Sequence, residues 1–200
     1  MKRTALYTFS LTMAVIAATA QGALSTPESS APLRVTDASV TVKCPLTVGG
    51  SFEAETEALS GEVAVDPAKN GAVEGTLTVD LRTLETGINL RDMHMRENYL
   101  EVQKGEGFSS ATLSRIHLDG IDSTHPVGKA RFRGTLLLHG QEREVTGTAE
   151  ISRISTRFQV NATFPVRVSD FNIASPSYLG VGVKNEVKVA VNFQATNHTR

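Results

Sequence analysis

Side chains that could carry out acid–base chemistry are concentrated in one segment, residues 86–100. Arg91, Asp92, His94, Arg96 and Glu97 fall within seven consecutive positions. A carboxylate beside an imidazole is a usual composition for a general-base pair. However, Asp92 and His94 are two residues apart, and that spacing puts them on different sides of a helix. The segment is therefore either the active region of a β protein or a helical lid over one end of a β-barrel.

Motifs for catalysis or metal binding are absent from the rest of the sequence. There is no His-Glu-x-x-His motif, no Cys-x-x-Cys pair and no Gly-x-Ser-x-Gly elbow. Cys44 is the single cysteine, so no internal disulfide can form, and no nearby histidine or aspartate would activate its thiol. We therefore expect no enzyme activity, no metal and no cofactor, unless a bound isoprenoid lipid or quinone is counted as one.

Outside this segment the chain alternates apolar and polar residues with a period of two, which is typical of antiparallel strands with one buried face. The clearest strands are predicted at residues 73–82, 130–139, 144–151, 157–168 and 187–195, and weaker ones at 38–44, 51–58, 61–66 and 111–118. Their apolar faces carry no Asp, Glu, His, Lys or Arg. An interior built from these faces can hold an apolar molecule, but it offers no group that abstracts a proton or binds a metal.

About eight or nine strands joined by short turns predict an all-β sandwich or barrel. Strands of ten or more residues favour a strongly tilted barrel wall. The apolar faces also include small residues, namely Gly75, Gly134, Gly147, Ala149, Ala162 and Ala195. Small inward residues either leave a tube-shaped cavity or only accommodate tight strand curvature around a solid interior. The sequence leaves both alternatives open.

The charged segment itself predicts a short helix from Leu90 to Val102, because this stretch lacks Gly and Pro and Asn89 can cap its start. Such a helix would cover the open end of the barrel with its Met and Leu side chains. Its charges then have two interpretations. They either attach the helix to the barrel rim, or Arg91 or His94 meets the polar head group of a ligand.

The N-terminus predicts export. Lys2 and Arg3 precede an apolar run that ends at Ala18-Thr19-Ala20, as in a secretory signal peptide. We divide the chain into a signal peptide at 1–20, a flexible mature N-terminus at 21–33 and a barrel domain at 34–197, and we expect a periplasmic or secreted protein. The mildly acidic charge argues against a nucleic-acid partner. We expect no integral membrane segment once the signal peptide is removed.

Several motifs resemble those of the YceI-like family of exported bacterial lipid-binding proteins. They are Leu84-Glu85-Thr86-Gly87 with Leu90-Arg91-Asp92-Met93-His94-Met95-Arg96, the hairpin at 134–140 with Val145, Ser169-Asp170-Phe171-Asn172-Ile173, and the final strand at 186–195. The resemblance implies an extended, eight-stranded, lipocalin-like antiparallel β-barrel with a short helix covering one end. It also implies a bound polyisoprenoid chain, such as a quinone side chain, and no catalytic residues.

We therefore expect a carrier that sequesters an isoprenoid-type lipid in the barrel. The alternative is a non-catalytic, stress-related or structural interaction module with a filled barrel and no ligand. The expected ligand-binding residues of the barrel interior are Leu77, Val79, Phe132, Leu136, Leu138, Val145, Ile151, Phe158, Val160, Ala162, Phe164, Val189, Val191 and Phe193, and those of the lid are Arg91, Met93, His94 and Tyr99. The sequence leaves open whether the protein is a monomer or a homodimer.

Overall fold

The computed structural model describes residues 32–65, 71–122, 125–175, 177–178 and 181–197. The predicted signal peptide at 1–20 and nearly all of the predicted flexible N-terminus at 21–33 lie outside the described residues. The strands are β1 (Leu33–Pro45), β2 (Ser51–Thr56), β3 (Leu59–Val65), β4 (Ala72–Asp80), β5 (Ser110–Asp119), β6 (Gly128–Leu138), β7 (Gln141–Ile154), β8 (Arg157–Arg167), β9 (Ser177–Tyr178), β10 (Val181–Gly182) and β11 (Glu186–Asn197).

The strands close into an eight-stranded antiparallel barrel, which confirms the predicted fold. Neighbouring strands follow the order β11-β8-β7-β6-β5-β4-β3-β1, and β1 pairs with β11 to complete the circle. β2 and β3 together form one wall strand, because β1 pairs with β2 along its second half and with β3 at its start. Because β1 and β11 pair with each other, closure of the barrel leaves neither of these strands with an unpaired edge.

Curvature of the wall comes from β-bulges, and one of the small residues serves this purpose. The register of β4 against β5 shifts between Val73 and Leu77, and Gly75 lies at the shift with φ +103°. A side chain there would start 2.0 Å from the carbonyl oxygen of Glu62. At Gly75 the small residue therefore allows the strands to bend and approach closely, rather than widening the interior.

The lid is shorter and less regular than the sequence predicts. Helix α1 covers Asn89–His94, and one π-helical turn continues it from Met95 to Tyr99. The N-cap is Ile88, so the expected capping by the Asn89 side chain does not occur. The helix ends before Glu101 because that residue adopts a left-handed conformation with φ 51°. Among the described residues, short 3₁₀ turns also occur at Leu81–Thr83, Val102–Lys104 and Val168–Phe171. Among the described residues, no helix has the length and apolarity needed to cross a membrane.

Candidate functional site

A cavity of about 1010 Å³ lies inside the barrel beneath the lid. Its wall consists of inward-facing strand residues, its roof is the lid, and its rim comes from the loops at the same end. The strand residues on the wall are Val40, Val42, Cys44, Phe52, Ala54, Leu59, Leu77, Val79, Ala111, Leu113, Leu136, Leu138, Phe164, Val166, Val187, Val189 and Val191. The interior is therefore hollow at this end, contrary to the filled barrel of the alternative hypothesis.

The cavity reaches solvent beside the start of the lid. Ile88 and Leu90 line the cavity, yet they are 54% and 60% exposed. Apolar side chains that touch both an internal cavity and solvent mark an opening. Because the opening is bordered by apolar side chains, an apolar molecule can pass it without meeting a fixed charge from either residue.

Polar groups on the cavity surface come almost entirely from the lid. Arg91, His94, Asn98 and Tyr99 line the cavity from above, whereas the strand residues on its wall are apolar except for the thiol of Cys44. Burial raises the pKa of that thiol to about 11, and the positive charge of Arg91 opposes this only partly. Cys44 therefore keeps its proton at neutral pH and belongs to the apolar wall.

Thr86 joins the start of the lid to two of its charged residues, in an arrangement that we call the Thr86 clasp (Thr86, Arg91 and Asp92). The Thr86 backbone N–H donates to Asp92 Oδ1 at 2.7 Å, and the Thr86 hydroxyl donates to the same oxygen. The hydroxyl oxygen in turn accepts from Arg91 Nε at 2.7 Å, and the Thr86 carbonyl accepts from Arg91 Nη2 at 3.0 Å. Gly87, with φ 78°, supplies the left-handed turn between the two parts of this clasp.

Asp92 therefore has a structural position rather than a catalytic one. It is only 4% exposed, and both of its donors belong to Thr86. His94 is exposed and lines the cavity on another side of the lid. In the part of the chain that the structure describes, no hydrogen bond joins the two, and no group of three metal-ligating side chains occurs.

Arg91 is held in place while it still lines the cavity. Its guanidinium lies over the ring of Phe52, 4.3 Å from the ring centre, in a cation–π contact. Two of its five N–H bonds are donated to Thr86. Among the described residues the other three donors have no recorded partner, so this oriented cation can donate hydrogen bonds to a polar group in the cavity.

The other end of the lid is attached to the barrel through His139. His139 Nε2 lies 2.9 Å from Glu101 Oε2, and His139 Nδ1 lies 3.0 Å from the carbonyl oxygen of Phe171. Lys104 Nζ lies 2.8 Å from Glu101 Oε1. The Lys104 hydrogen bond, with a smaller contribution from His139, lowers the pKa of Glu101 below its usual value. His139 and Gly140 form the two-residue turn between β6 and β7, with φ values of 50° and 70°.

Half of the residues expected in the barrel interior line this cavity. They are Leu77, Val79, Leu136, Leu138, Phe164, Val189 and Val191. The others, Phe132, Val145, Ile151, Phe158, Val160, Ala162 and Phe193, are not on its wall, and they pack in the two hydrophobic clusters of the barrel. These seven residues lie away from this cavity because it occupies the lid end of the barrel. For every residue of the sequence-based list, ligand contact stays a prediction.

The lid residues divide in the same way. Arg91, His94 and Tyr99 line the cavity, as expected. Met93 does not, and it is 40% exposed, because it lies on the face of α1 that points away from the barrel. Met95 takes the place on the cavity roof that the sequence-based list assigns to Met93.

Sequence reasoning missed several cavity residues of β1, β2 and the loops. Val40, Val42 and Cys44 could have been found, because their alternation continues the period of two. Leu81, Leu84 and Ile173 lie in short helical turns or loops, for which no periodicity exists. Only the folded chain brings these residues to the mouth of the barrel.

Comparisons with known proteins agree with this architecture. The family model described as YceI-like domain matches residues 16–195. The fold is similar to Burkholderia cenocepacia BcnA, with 19% identity, a TM-score of 0.64, and coverage of 80% of this chain and 96% of that one. It is also similar to a polyisoprenoid binding domain from Saccharophagus degradans implicated in plant cell wall breakdown, with 20% identity, a TM-score of 0.63, and coverage of 84% and 98%.

A third similar structure is a Campylobacter jejuni YceI protein, with 16% identity, a TM-score of 0.57, and coverage of 76% of this chain and 87% of that one. At these identities the likeness concerns the fold. No curated protein matches the sequence.

Proposed function

Because this chain belongs to the YceI-like family, we propose that it binds a long isoprenoid-type lipid, such as the side chain of a quinone, in the cavity beneath the lid. The observation that carries this proposal is the cavity of about 1010 Å³ whose strand wall is apolar. A hollow apolar interior of this size is unfavourable unless something apolar fills it, because its lining loses packing contacts. The Saccharophagus degradans relative is described as a polyisoprenoid binding domain, which supports the same ligand class.

The hydrophobic effect supplies enough free energy for such binding. Burial of one methylene group contributes about 0.8 kcal/mol, so each five-carbon isoprene unit contributes about 4 kcal/mol. Association and ordering of the chain cost about 4–15 kcal/mol. A few units therefore offset that cost, and specificity for apolar chains follows from the lack of charged groups on the wall.

The ligand has a preferred orientation in this proposal. The polar lining residues lie on the lid, and Arg91 has N–H donors that Thr86 does not use. A carbonyl or hydroxyl head group is best placed beneath the lid, where it accepts hydrogen bonds from Arg91. The isoprenoid tail then extends toward the apolar interior. No proton transfer or bond cleavage is required, so the function is binding and carriage rather than catalysis.

Extraction and mass spectrometry of the purified native protein test this proposal. We expect a long apolar chain in the organic extract. The delipidated protein should bind a quinone again when it is incubated with one. Leu138→Trp places a large side chain in the cavity and should abolish binding. Leu137→Trp is the matched control, because Leu137 is adjacent on β6 and does not line the cavity. Failure of the delipidated protein to bind any quinone or polyprenol would refute the proposal.

We also propose that the carrier works after export, in the periplasm or outside the cell. The predicted signal peptide supports this location, and a lipid carrier there would move an apolar molecule through an aqueous space. N-terminal sequencing of the protein recovered from the periplasmic fraction should find cleavage after Ala20. Recovery of the chain in the cytoplasm with Met1 still present would contradict this part of the proposal.

A further inference from the structure

We propose that Phe132 and Phe193 form a floor across the middle of the barrel that limits the length of the isoprenoid chain. This inference rests on the proposed function and adds a determinant of specificity to it. It follows from where the cavity ends along each strand, from how the two rings are packed, and from the volume that remains above them.

The cavity ends at the same level on different strands. On β6 the wall includes Leu136 but not Phe132, and on β11 it includes Val191 but not Phe193. On β8 the wall ends at Phe164. Phe132 and Phe193 are both buried, and each is the next large inward-facing residue beyond the last wall residue of its strand.

The two rings belong to separate hydrophobic clusters that share part of the barrel wall. Phe132 lies in the larger cluster, and Phe193 lies in the smaller cluster with Val35 and Ala195. The same three wall residues, Val42, Val189 and Val191, pack against both clusters. Both clusters therefore contact the same part of the wall, at the level where a floor is proposed.

Phe132 is held in this position by its neighbours on β7 and β8. It is paired across the sheet with Gly147, where a Cβ atom would lie 2.7 Å from the Phe132 ring. Its ring also contacts Phe164 edge to face, with 5.6 Å between centroids and 86° between planes. Gly147 therefore makes room for the ring of Phe132, and Phe164, which lines the cavity, packs directly against that ring.

The volume of the cavity above the floor limits the number of isoprene units that can be bound. An isoprene unit has a van der Waals volume of about 90 Å³, so at the packing density of a protein interior each unit needs about 120 Å³. The cavity of about 1010 Å³ thus accommodates at most about eight units at that packing density. Removing the ring of Phe132 would add about 100 Å³, which corresponds to roughly one more unit.

A chain-length profile tests the floor. Delipidated protein is incubated with an equimolar mixture of ubiquinones that differ only in their number of isoprene units, and bound species are identified by native mass spectrometry. We expect the wild type to bind ubiquinones only up to a certain number of isoprene units. This maximum number should be about one unit higher in Phe132→Ala and lower in Val191→Phe. Phe158→Ala is the matched control, because Phe158 lies at the far end of β8, away from the cavity. If the alanine variant does not fold, Phe132→Leu replaces it in the same experiment.

The outcomes separate this inference from the proposed function. If the wild type binds every chain length equally, or if Phe132→Ala and Phe158→Ala shift the limit alike, the floor is refuted while lipid binding stands. If the wild type binds none of the ubiquinones and no polyprenol of matching length, both proposals fail. A longer limit in Phe132→Ala alone, with the opposite shift in Val191→Phe, supports the floor.

Discussion

Replacement of Thr86 by valine should destabilise the protein through the buried carboxylate of Asp92. Valine has nearly the same shape as threonine, so the change removes the hydroxyl and leaves packing almost unaltered. Asp92 then keeps only the backbone N–H of Thr86 as a donor. A hydrogen bond to a charged group contributes about 1.5–3 kcal/mol, and Asp92 is too buried for water to replace the lost donor.

The hydrogen bond that Arg91 loses contributes less to the decrease in the free energy of unfolding. Its Nε donor also loses the Thr86 hydroxyl as acceptor, but Arg91 is half-buried and water can substitute. We therefore expect the free energy of unfolding to fall by about 3 kcal/mol in total. For a chain of this size that corresponds to a decrease in Tm of roughly 6–12 °C.

Urea unfolding followed by circular dichroism and by tyrosine fluorescence measures this free energy, and coincident curves justify a two-state treatment. Thr163→Val is the matched control, since within the described part of the chain the Thr163 hydroxyl is hydrogen-bonded only to Thr148, at an exposed site. We expect that control to change stability by less than about 0.5 kcal/mol. A double-mutant cycle with Asp92→Asn should show strong coupling to Thr86→Val. A loss below about 1 kcal/mol for Thr86→Val, or additive effects in the cycle, would refute this account of the clasp.

Three further predictions follow from single residues. Alkylation of the Cys44 thiol should be slow at neutral pH and should accelerate as the pH approaches the thiol pKa of about 11. Bound ligand should block this alkylation. An alkylation rate that is the same with and without ligand would contradict the position of Cys44 in the cavity. Because the pKa of Glu101 is lowered, its carboxylate stabilises the fold at pH values above its usual pKa of 4.5, and this stabilisation is lost as the pH falls through the lowered pKa. In Glu101→Gln, Tm should therefore fall less steeply toward acid pH. An unchanged dependence of Tm on pH would contradict this role of Glu101. Gly140→Ala should cost about 1–2 kcal/mol in urea unfolding, because φ is 70° and the Phe108 ring lies 3.3 Å from the added methyl group; a neutral effect would argue against the turn geometry.

The strands were predictable because their pattern is local. Each strand alternates apolar and polar residues, so its position and its buried face can be read without knowledge of its neighbours. Predicted strands at 130–139 and 187–195 correspond to β6 (Gly128–Leu138) and β11 (Glu186–Asn197). The lid was predictable for the opposite reason, because the period of two is lost at residues 86–100.

The role of each lid residue was not predictable, because it depends on contacts with residues from elsewhere in the fold. Asp92 and His94 were candidates for acid–base chemistry from their types alone. In the folded protein Asp92 accepts hydrogen bonds from Thr86, while His94 faces the cavity. His139, which the sequence places at a hairpin turn, is buried and joins Glu101 to Phe171.

What the sequence determined by itself is an all-β barrel with an apolar interior and a charged lid, because hydrophobic period and residue type are properties of each segment. Tertiary structure alone decided how far the cavity extends. Phe132 and Leu136 are both inward-facing residues of β6, yet only Leu136 lines the cavity. The difference arises because strand register places Gly147 opposite Phe132, so that the Phe132 ring packs over Gly147 and against Phe164.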